Sequence, residues 1–230
     1  KEVSFRNLSL SGDQPNNYPR SRGFTPMDQY LQHIKTDVVF AMFGYNESFA
    51  GYEGSDSYKK LLVEFVQKIR GYKPNGKDFP RIVLFSPIAF EDLKDPNLPN
   101  GTRHNRNLAA FARATEQAAK EVGVACVNLY EPTAKLYQEL DRPLTINGIH
   151  LNEFGNAKVA EIIVKTLLKR NVSAFSLEEL REAVLDKNWH WHNRYRATDG
   201  NDVWGGRSGL RFVDDQSNAE VLQHELVMLD

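Results

Sequence analysis

The stretch Val38-Val39-Phe40-Ala41-Met42-Phe43 is the longest apolar run of the chain, and its apolar residues are continuous rather than alternating. A run of this length and character is typical of a strand that is covered on both faces, as strands are in a parallel sheet. The stretch Ile82-Val83-Leu84-Phe85 has the same character. Two further runs are rich in β-forming residues. The sequence therefore predicts four strands, at residues 3–10, 37–43, 81–86 and 124–129.

Helical patterns lie between and after these strands. Residues 57–72, 105–122 and 153–170 each carry apolar side chains at helical spacing. Strands that alternate with helices favour a sheet whose parallel strands are joined by right-handed crossovers. We therefore predict an α/β fold with three layers, in which a flavodoxin-like parallel sheet is covered by helices.

The character of the chain changes after Arg170. Ser176 and Glu179 form a capping-box pattern, which predicts a helix that runs to about Tyr195. A loop rich in Gly and Asp follows at residues 199–209, then a short extended piece at 210–213 and a last helix at 218–229. We expect residues 1–172 to form one domain and residues 173–230 to form a C-terminal extension packed on it.

The composition excludes several classes of function. The formal net charge of the 230 residues is −1, and nothing in this charge balance indicates a nucleic-acid partner. No apolar run approaches the roughly 20 residues of a membrane span. The single cysteine, Cys126, excludes an internal disulfide, and its apolar surroundings indicate a structural thiol rather than a nucleophile. His190 and His192 stand two apart on a predicted helix, a poor spacing for a metal, and the sequence indicates no cofactor.

The stretch Thr145-Ile146-Asn147-Gly148-Ile149-His150-Leu151-Asn152 places one histidine between a glycine turn and the start of a helix. Ligands of α/β sheets bind at the rim where such loops lie. A histidine there could act as a general base, since its pKa is near neutrality. The alternative is a turn histidine that merely caps the helix.

The stretch Gly44-Tyr45-Asn46-Glu47 directly follows the strand predicted at residues 37–43. Gly44 permits a tight turn. The side-chain amide of Asn46 could then donate to the oxyanion of a transition state, where one such donor contributes roughly 3–4 kcal/mol. The alternative is an ordinary Asx turn that closes the connection to the next helix.

Together with Ser11-Gly12-Asp13, these two stretches resemble the block pattern of the SGNH (GDSL-type) ester hydrolases over roughly residues 3–170. The resemblance implies that Gly12 and Asn46 donate to the oxyanion and that His150 is the general base. Asn147 stands where the family has the Asp that supports the histidine, and Glu47 stands where the family usually has Asp. The family's nucleophile block reads Gly-Asp-Ser, with Ser after Asp.

Ser11 precedes Gly-Asp, so the resemblance assigns Ser11-Gly12-Asp13 to the second block and leaves the nucleophile block absent from this chain. In the family, the nucleophile strand is central and lies between the strands that precede the second and third blocks. Those strands correspond here to residues 3–10 and 37–43. The resemblance therefore implies a sheet that lacks its first strand.

A narrower resemblance rests on Phe5-Arg6-Asn7-Leu8, Phe85-Ser86-Pro87-Ile88-Ala89, Leu144-Thr145-Ile146-Asn147-Gly148 and Asp186-Lys187-Asn188-Trp189. These stretches look like an SGNH-type domain of large bacterial multidomain proteins, which also carry a β-propeller and a haem-binding Cys-x-x-Cys-His module. The resemblance implies an exported protein, periplasmic or secreted, whose partners are other domains of the same parent chain. This sequence has no Cys-x-x-Cys-His, so we expect it to bind no c-type haem.

The resemblance implies cleavage of a carboxylic ester, such as an acylated sugar, by Ser–His chemistry. Tyr45 and Glu47 beside Asn46, and Trp204 and Arg207 in the C-terminal extension, are the candidate substrate-binding residues. The aromatic rings of the extension could instead serve to dock it on the rest of the chain. The alternative function is a non-catalytic domain that binds a small molecule or carbohydrate, because Asn147 supplies no negative charge and no Gly-Asp-Ser is present. A structural docking domain of a larger protein is the third hypothesis.

Overall fold

The computed structural model describes residues 3–20, 25–173, 177–196 and 205–230, and the chain forms two compact units. The larger unit comprises Gln14–Asn17 and Met27–Ser176. The smaller unit comprises Lys1–Asp13, Tyr18–Pro26 and Leu177–Asp230. Residues at the two ends of the chain thus share the smaller unit, while the predicted domain boundary after residue 172 stays a prediction.

The larger unit is built on a parallel sheet of three strands. The strands are β1 (Val38–Met42), β2 (Arg81–Phe85) and β3 (Ala125–Val127), in the order β1-β2-β3. Val39 lies opposite Ile82 and Phe85 lies opposite Val127. The three corresponding strand predictions are therefore confirmed, and β2 is the central strand because its run Ile82-Val83-Leu84-Phe85 is buried on both faces.

The described residues of the larger unit form five helices: α1 (Met27–His33), α2 (Ser55–Gly71), α3 (Thr102–Val122), α4 (Tyr130–Glu139) and α5 (Glu153–Leu168). Two 3₁₀ turns, Glu47–Ala50 and Tyr52–Gly54, precede α2. The predictions of α2, α3 and α5 are confirmed. The sequence analysis missed α1 and α4. Pro132 lies in the first turn of α4, where proline is tolerated but hides the helical pattern.

Helices cover both faces of the sheet. Val83, Phe85 and Val127 pack with Leu129 and Val159, and Val159 belongs to α5. Ile82 and Leu84 alternate with these residues along β2, so they face the other side of the sheet, where they are also buried. On the second side α3 contacts β2 and packs on α2, with the rings of Tyr58 and Phe111 4.9 Å apart. The α/β fold with three layers is thus confirmed.

The strand predicted at residues 3–10 is wrong. These residues belong to no strand, and Val3 and Phe5 are exposed. Their carbonyl groups instead accept hydrogen bonds from side chains of α6 (Glu178–Arg196). Trp191 donates to the Asn7 carbonyl at 2.8 Å and Tyr195 donates to that of Leu8 at 2.8 Å. Side chains of a distant helix therefore satisfy the backbone acceptors that a neighbouring strand would otherwise take.

The other described elements of the smaller unit agree with the predictions made from the sequence. The extended piece predicted at residues 210–213 is β4 (Arg211–Val213), which pairs antiparallel with β5 (Gln216–Ser217). The last helix, α7 (Asn218–Met228), begins with a capping box between Ser217 and Glu220. Ser176, the predicted cap of α6, lies outside the described residues. Within the described ranges, no helix has both the length and the apolar character that crossing a membrane requires.

The close approach of α5 to the loop before it gives a first test. A Cβ atom at Gly155 would overlap the carbonyl oxygen of Leu144. Replacing a helix glycine by alanine normally gains about 1 kcal/mol, but overpacking costs about 1–3 kcal/mol. We expect Gly155→Ala to lower the free energy of unfolding in urea. The control is Gly71→Ala at the end of α2, where a Cβ atom meets nothing within 4 Å; equal stability of the two variants would contradict the expectation.

Candidate active site

Gly44 forms the turn at the end of β1. Its φ angle is +113°, and a Cβ atom there would lie 2.9 Å from the Tyr58 hydroxyl and 3.0 Å from Cδ of Pro87. Only glycine fits such a position without strain. The backbone N–H of Gly44 donates to Oε2 of Glu47 at 2.8 Å, which closes the turn. This arrangement holds Asn46 in a fixed turn beyond the sheet.

The side chain of Asn46 does not cap the 3₁₀ turn that it precedes. The turn is closed by backbone groups instead, because the Phe49 N–H donates to the Asn46 carbonyl at 3.3 Å. Asn46 is exposed. The Asx-turn alternative therefore does not describe this residue, and its amide is presented to the surface, as an oxyanion donor requires.

Glu47 carries a polar atom whose bonding is incomplete. Its Oε1 atom is buried and has no hydrogen-bond partner among the described residues. Burial raises the pKa of the Glu47 carboxyl, while hydrogen bonds from the backbone N–H groups of Glu47 and Gly44 act in the opposite direction. A buried carboxylate oxygen without a donor is costly, and this favours the protonated form.

The loop of residues 144–150, hereafter the His150 loop, is a closed hairpin. Thr145 and Leu151 form an isolated antiparallel bridge, and the Ile146 N–H donates to the His150 carbonyl at 2.9 Å. The side chain of Asn152 accepts from the Gly155 N–H at 2.8 Å and caps α5. Asn152 rather than His150 is therefore the helix cap, which removes the alternative interpretation of the histidine.

Asn147 fixes the tautomer of the His150 imidazole. Oδ1 of Asn147 accepts from the backbone N–H of His150 at 3.0 Å, which sets the amide with its oxygen toward the histidine. The same oxygen lies 3.1 Å from Nδ1 of His150. Because this oxygen can only accept, the hydrogen bond requires the proton on Nδ1. Nε2 of the exposed imidazole then carries the lone pair that a general base needs.

A row of aromatic rings joins the Asn46 turn to the His150 loop. Ring centroids are 5.4 Å apart for Tyr45 and Phe49, 5.9 Å for Phe49 and His104, and 5.0 Å for His104 and Phe90. Phe90 lies against Gly148, whose φ angle is +93° and whose missing Cβ leaves room for the ring. The two sequence motifs thus lie on one continuous packed surface of the larger unit.

Phe49, Phe90 and His104 were not predicted from the sequence as residues of the site. Phe49 lies three residues after Asn46 with 65% of its surface exposed, which is unusual for phenylalanine. That exposure is a property of the folded chain, so the sequence carried no sign of it. His104 lies in the first turn of α3, one residue before the helical pattern predicted at residues 105–122.

The other predicted site residues do not belong to the larger unit. Gly12 lies in the smaller unit, in a turn where Asp13 accepts from the Leu10 N–H and pairs with Arg20 at 2.5 Å. Arg207 also lies there, and its carbonyl accepts from the Leu210 N–H at 3.1 Å. Trp204 lies outside the described residues. The roles assigned to these three residues stay predictions.

Neither a metal ion nor a thiol nucleophile is supported by the described part of the chain. No cluster of three or more His, Cys, Asp or Glu side chains suited to a metal ion occurs among those residues. Cys126 is half-buried, and burial raises the pKa of its thiol to about 11. A thiol with that pKa is protonated at neutral pH and is a poor nucleophile.

The raised pKa of Glu47 gives a test by pH. Since the folded-state pKa lies above the ordinary value of 4.5, the folded chain holds this proton more tightly than the unfolded chain. The associated stability is complete below pH 4.5 and is lost as the pH rises through the folded-state pKa. We expect Glu47→Gln to melt above the wild type at pH 7.5 and to lose that advantage at pH 4.

Differential scanning calorimetry across this pH range measures the effect. Glu64→Gln, at an exposed position of α2, is the control for the change in net charge. A melting-temperature difference between Glu47→Gln and the wild type that is constant across this pH range would show that Glu47 does not titrate with folding.

Similar solved structures include three esterases or hydrolases. An acetylxylan esterase from Geobacillus stearothermophilus is 20% identical, with a TM-score of 0.44, and the match covers 59% of this chain and 61% of the esterase. An alpha/beta hydrolase from the metagenome of Lake Arreo, Spain, is 19% identical, with a TM-score of 0.43 and coverages of 58% and 61%. A third structure, an acetyl xylan esterase, is 21% identical, with a TM-score of 0.46, and the match covers 61% of this chain and 72% of the esterase.

The chain thus spans about three fifths of the length of the Geobacillus esterase. No curated protein matches it. A family profile does match. The profile of the GDSL-like Lipase/Acylhydrolase family covers residues 2–158, which is more than half of the 230 residues and includes both the Asn46 turn and the His150 loop. The chain therefore belongs to the GDSL-like lipase/acylhydrolase (SGNH) family.

Proposed function

We propose that this chain is an ester-hydrolase domain in which His150 is the general base and Asn46 is an oxyanion donor. The observation that carries the proposal is the contact of Asn147 Oδ1 with Nδ1 of His150, which leaves Nε2 as the proton acceptor. Family membership supplies the reaction class, which is acyl transfer from an ester to water.

The reaction follows from these roles. A serine oxygen attacks the ester carbonyl while Nε2 of His150 takes the serine proton. The Asn46 amide donates to the oxyanion that forms. The intermediate collapses, and the imidazolium returns the proton to the leaving alcohol. A water molecule, deprotonated by His150, then attacks the acyl group and releases the carboxylic acid and the serine.

The serine is proposed to come from a further strand that pairs with β1. Among the described residues β1 pairs only with β2, so its other edge has no ladder partner. The apolar side chains of Val38, Phe40 and Met42 on β1 are 38%, 42% and 56% exposed. Sheet edges that expose apolar residues are strongly disfavoured. A strand carrying Gly-Asp-Ser and seated at this edge would cover them and bring the nucleophile to the Asn46 turn.

Asn147 makes the proposed base weaker than an Asp would, but it keeps the imidazole in the tautomer that a general base needs. In the Ser-His-Asp proteases, Asp→Asn lowers turnover about 10⁴-fold because the imidazole adopts the wrong tautomer. Here the backbone N–H of His150 holds the Asn147 oxygen toward the ring, so the tautomer is correct. What Asn147 cannot supply is a negative charge beside the imidazolium that forms during the reaction.

The substrate is proposed to be an ester of a small acyl group or an acylated sugar. Tyr45 and Phe49 flank Asn46, and their edge-to-face pair presents ring surface beside the proposed oxyanion site. Aromatic faces suit both acyl chains and sugar rings. Glu47 is proposed to support this side of the site through Oε2, which accepts from the Gly44 N–H and so closes the turn that carries Asn46.

A non-catalytic binding domain is the second candidate. The observation that favours it is Asn147, an uncharged residue where the family has Asp. Under this hypothesis the aromatic surface beside Asn46 binds an ester or a sugar without cleaving it, within a larger bacterial protein that carries other domains.

Both candidates predict little esterase activity for the 230-residue chain by itself. We expect the 230-residue chain to hydrolyse p-nitrophenyl acetate little or not at all, because it has no serine in a Gly-Asp-Ser block. Robust turnover that disappears in His150→Ala would contradict this expectation and return Ser11 and Ser48 as candidate nucleophiles. The variants Ser11→Ala and Ser48→Ala, assayed separately, would then identify which one acts. Asn46→Ala tests the oxyanion role in the same assay.

Restoring the charge beside His150 gives a further test. In a chain that includes a Gly-Asp-Ser strand, we expect Asn147→Asp to raise kcat at least tenfold, because the imidazolium gains an opposite charge. The matched variant Asn147→Ala removes the acceptor and should lower kcat. Equal kcat in Asn147→Asp and the parent, with both chains folded, would contradict the proposed role of His150 as the base.

A further inference from the structure

We propose that Glu91 is a positioning residue for His150: its buried side chain and its backbone together hold the His150 loop in the conformation that presents the imidazole. The inference rests on the proposed function only in taking His150 as the reacting base. Glu91 itself has no contact with the imidazole among the described hydrogen bonds, so its action is through the loop.

The carboxylate of Glu91 is enclosed and fully engaged. Only 6% of the residue is exposed. The Leu144 N–H donates to it at 3.0 Å, the Thr145 N–H donates at 2.7 Å and the Thr145 hydroxyl donates at 2.6 Å. Three donors from two consecutive residues thus converge on one side chain, 53 positions earlier in the sequence. The start of the His150 loop is anchored by a single acidic residue.

The Thr145 hydroxyl extends this anchor along the loop. While it donates to Glu91, its oxygen accepts from the Gly148 N–H at 3.0 Å. The backbone N–H of Glu91 donates to the Gly148 carbonyl at 2.9 Å. Both polar groups of Gly148 are therefore fixed by Glu91, one directly and one through Thr145. Gly148 directly follows Asn147, the residue that orients the imidazole.

The connection from Glu91 to the imidazole is continuous. Glu91 fixes Thr145 directly and Gly148 through Thr145. Thr145 and Gly148 lie on either side of Asn147 and so set the backbone from which the Asn147 side chain extends. That side chain contacts Nδ1 of His150. A glutamine at position 91 would offer one acceptor oxygen, and its amide N–H₂ would face the donors of residues 144 and 145. The geometry therefore requires a carboxylate rather than an amide at this position.

Two variants remove hydrogen bonds between Glu91 and the His150 loop at different positions. Glu91→Gln removes one acceptor, and Thr145→Val removes the hydroxyl that links Glu91 to Gly148. Thr145→Ser retains that hydroxyl and is the conservative rescue. Thr115→Val is the matched control, since Thr115 is another buried threonine whose hydroxyl contacts Tyr58 at 3.3 Å and takes no part in the His150 loop.

The readout is the ¹⁵N spectrum of the His150 imidazole as a function of pH, assigned by comparison with His150→Ala. We expect the wild type, Thr145→Ser and Thr115→Val to show the tautomer with the proton on Nδ1. We expect Glu91→Gln and Thr145→Val to show a mixture with the Nε2-protonated tautomer and a shifted titration midpoint, while circular dichroism shows the fold retained.

A wild-type tautomer and midpoint in both Glu91→Gln and Thr145→Val would overturn the proposal. If Glu91→Gln does not fold, Thr145→Val decides alone. An equal change in Thr115→Val would also overturn it, since the imidazole would then respond to any loss of stability. The measurement needs no turnover, so equal kcat in Asn147→Asp and its parent would contradict the proposed function without changing the result for Glu91.

Discussion

The segment of residues 86–91, which continues β2 beyond the sheet, is the connection on which the larger unit depends. It has no regular structure, yet most of it is buried, so its backbone groups need partners from other elements. The Ala89 N–H donates to Thr133 of α4, and the Phe90 N–H donates to Asn105 of α3. The Glu91 N–H donates to Gly148 of the His150 loop. One irregular segment thus ties two helices and the His150 loop to the central strand.

The elements of this fold that can be predicted from the sequence are those whose pattern lies within one short segment of the chain. The strands β1 and β2 are continuous apolar runs, and such runs are buried in almost any parallel sheet. The His150 loop was found because its residues are adjacent in sequence and each has a distinct chemical role. Residues 3–10 show why local patterns also fail. Val3 and Phe5 alternate with polar residues as in a strand, but whether a neighbouring strand exists is not a local property.

Glu91 could not have been found in the same way. Its local sign is the apolar run Ile88-Ala89-Phe90 before it, which keeps this part of the chain close to the core. Its donors lie more than 50 positions away and are mostly backbone N–H groups, which every sequence has. The role of a buried acid can be inferred only when its hydrogen-bond partners are known, and folding alone brings these partners to Glu91.

Phe90 explains why the His150 loop can be irregular and still be held in place. Cβ atoms at Gly101 and Gly148 would both overlap its ring, so the ring lies between the start of α3 and the loop. The same ring stacks on His104, which itself contacts Phe49 beside the Asn46 turn. Phe90 is 5% exposed, so the part of the His150 loop beside its ring has little free volume into which it could shift. The row of rings continues from Phe90 through His104 to the exposed Phe49, and these side-chain contacts place the Asn46 turn and the His150 loop on one surface.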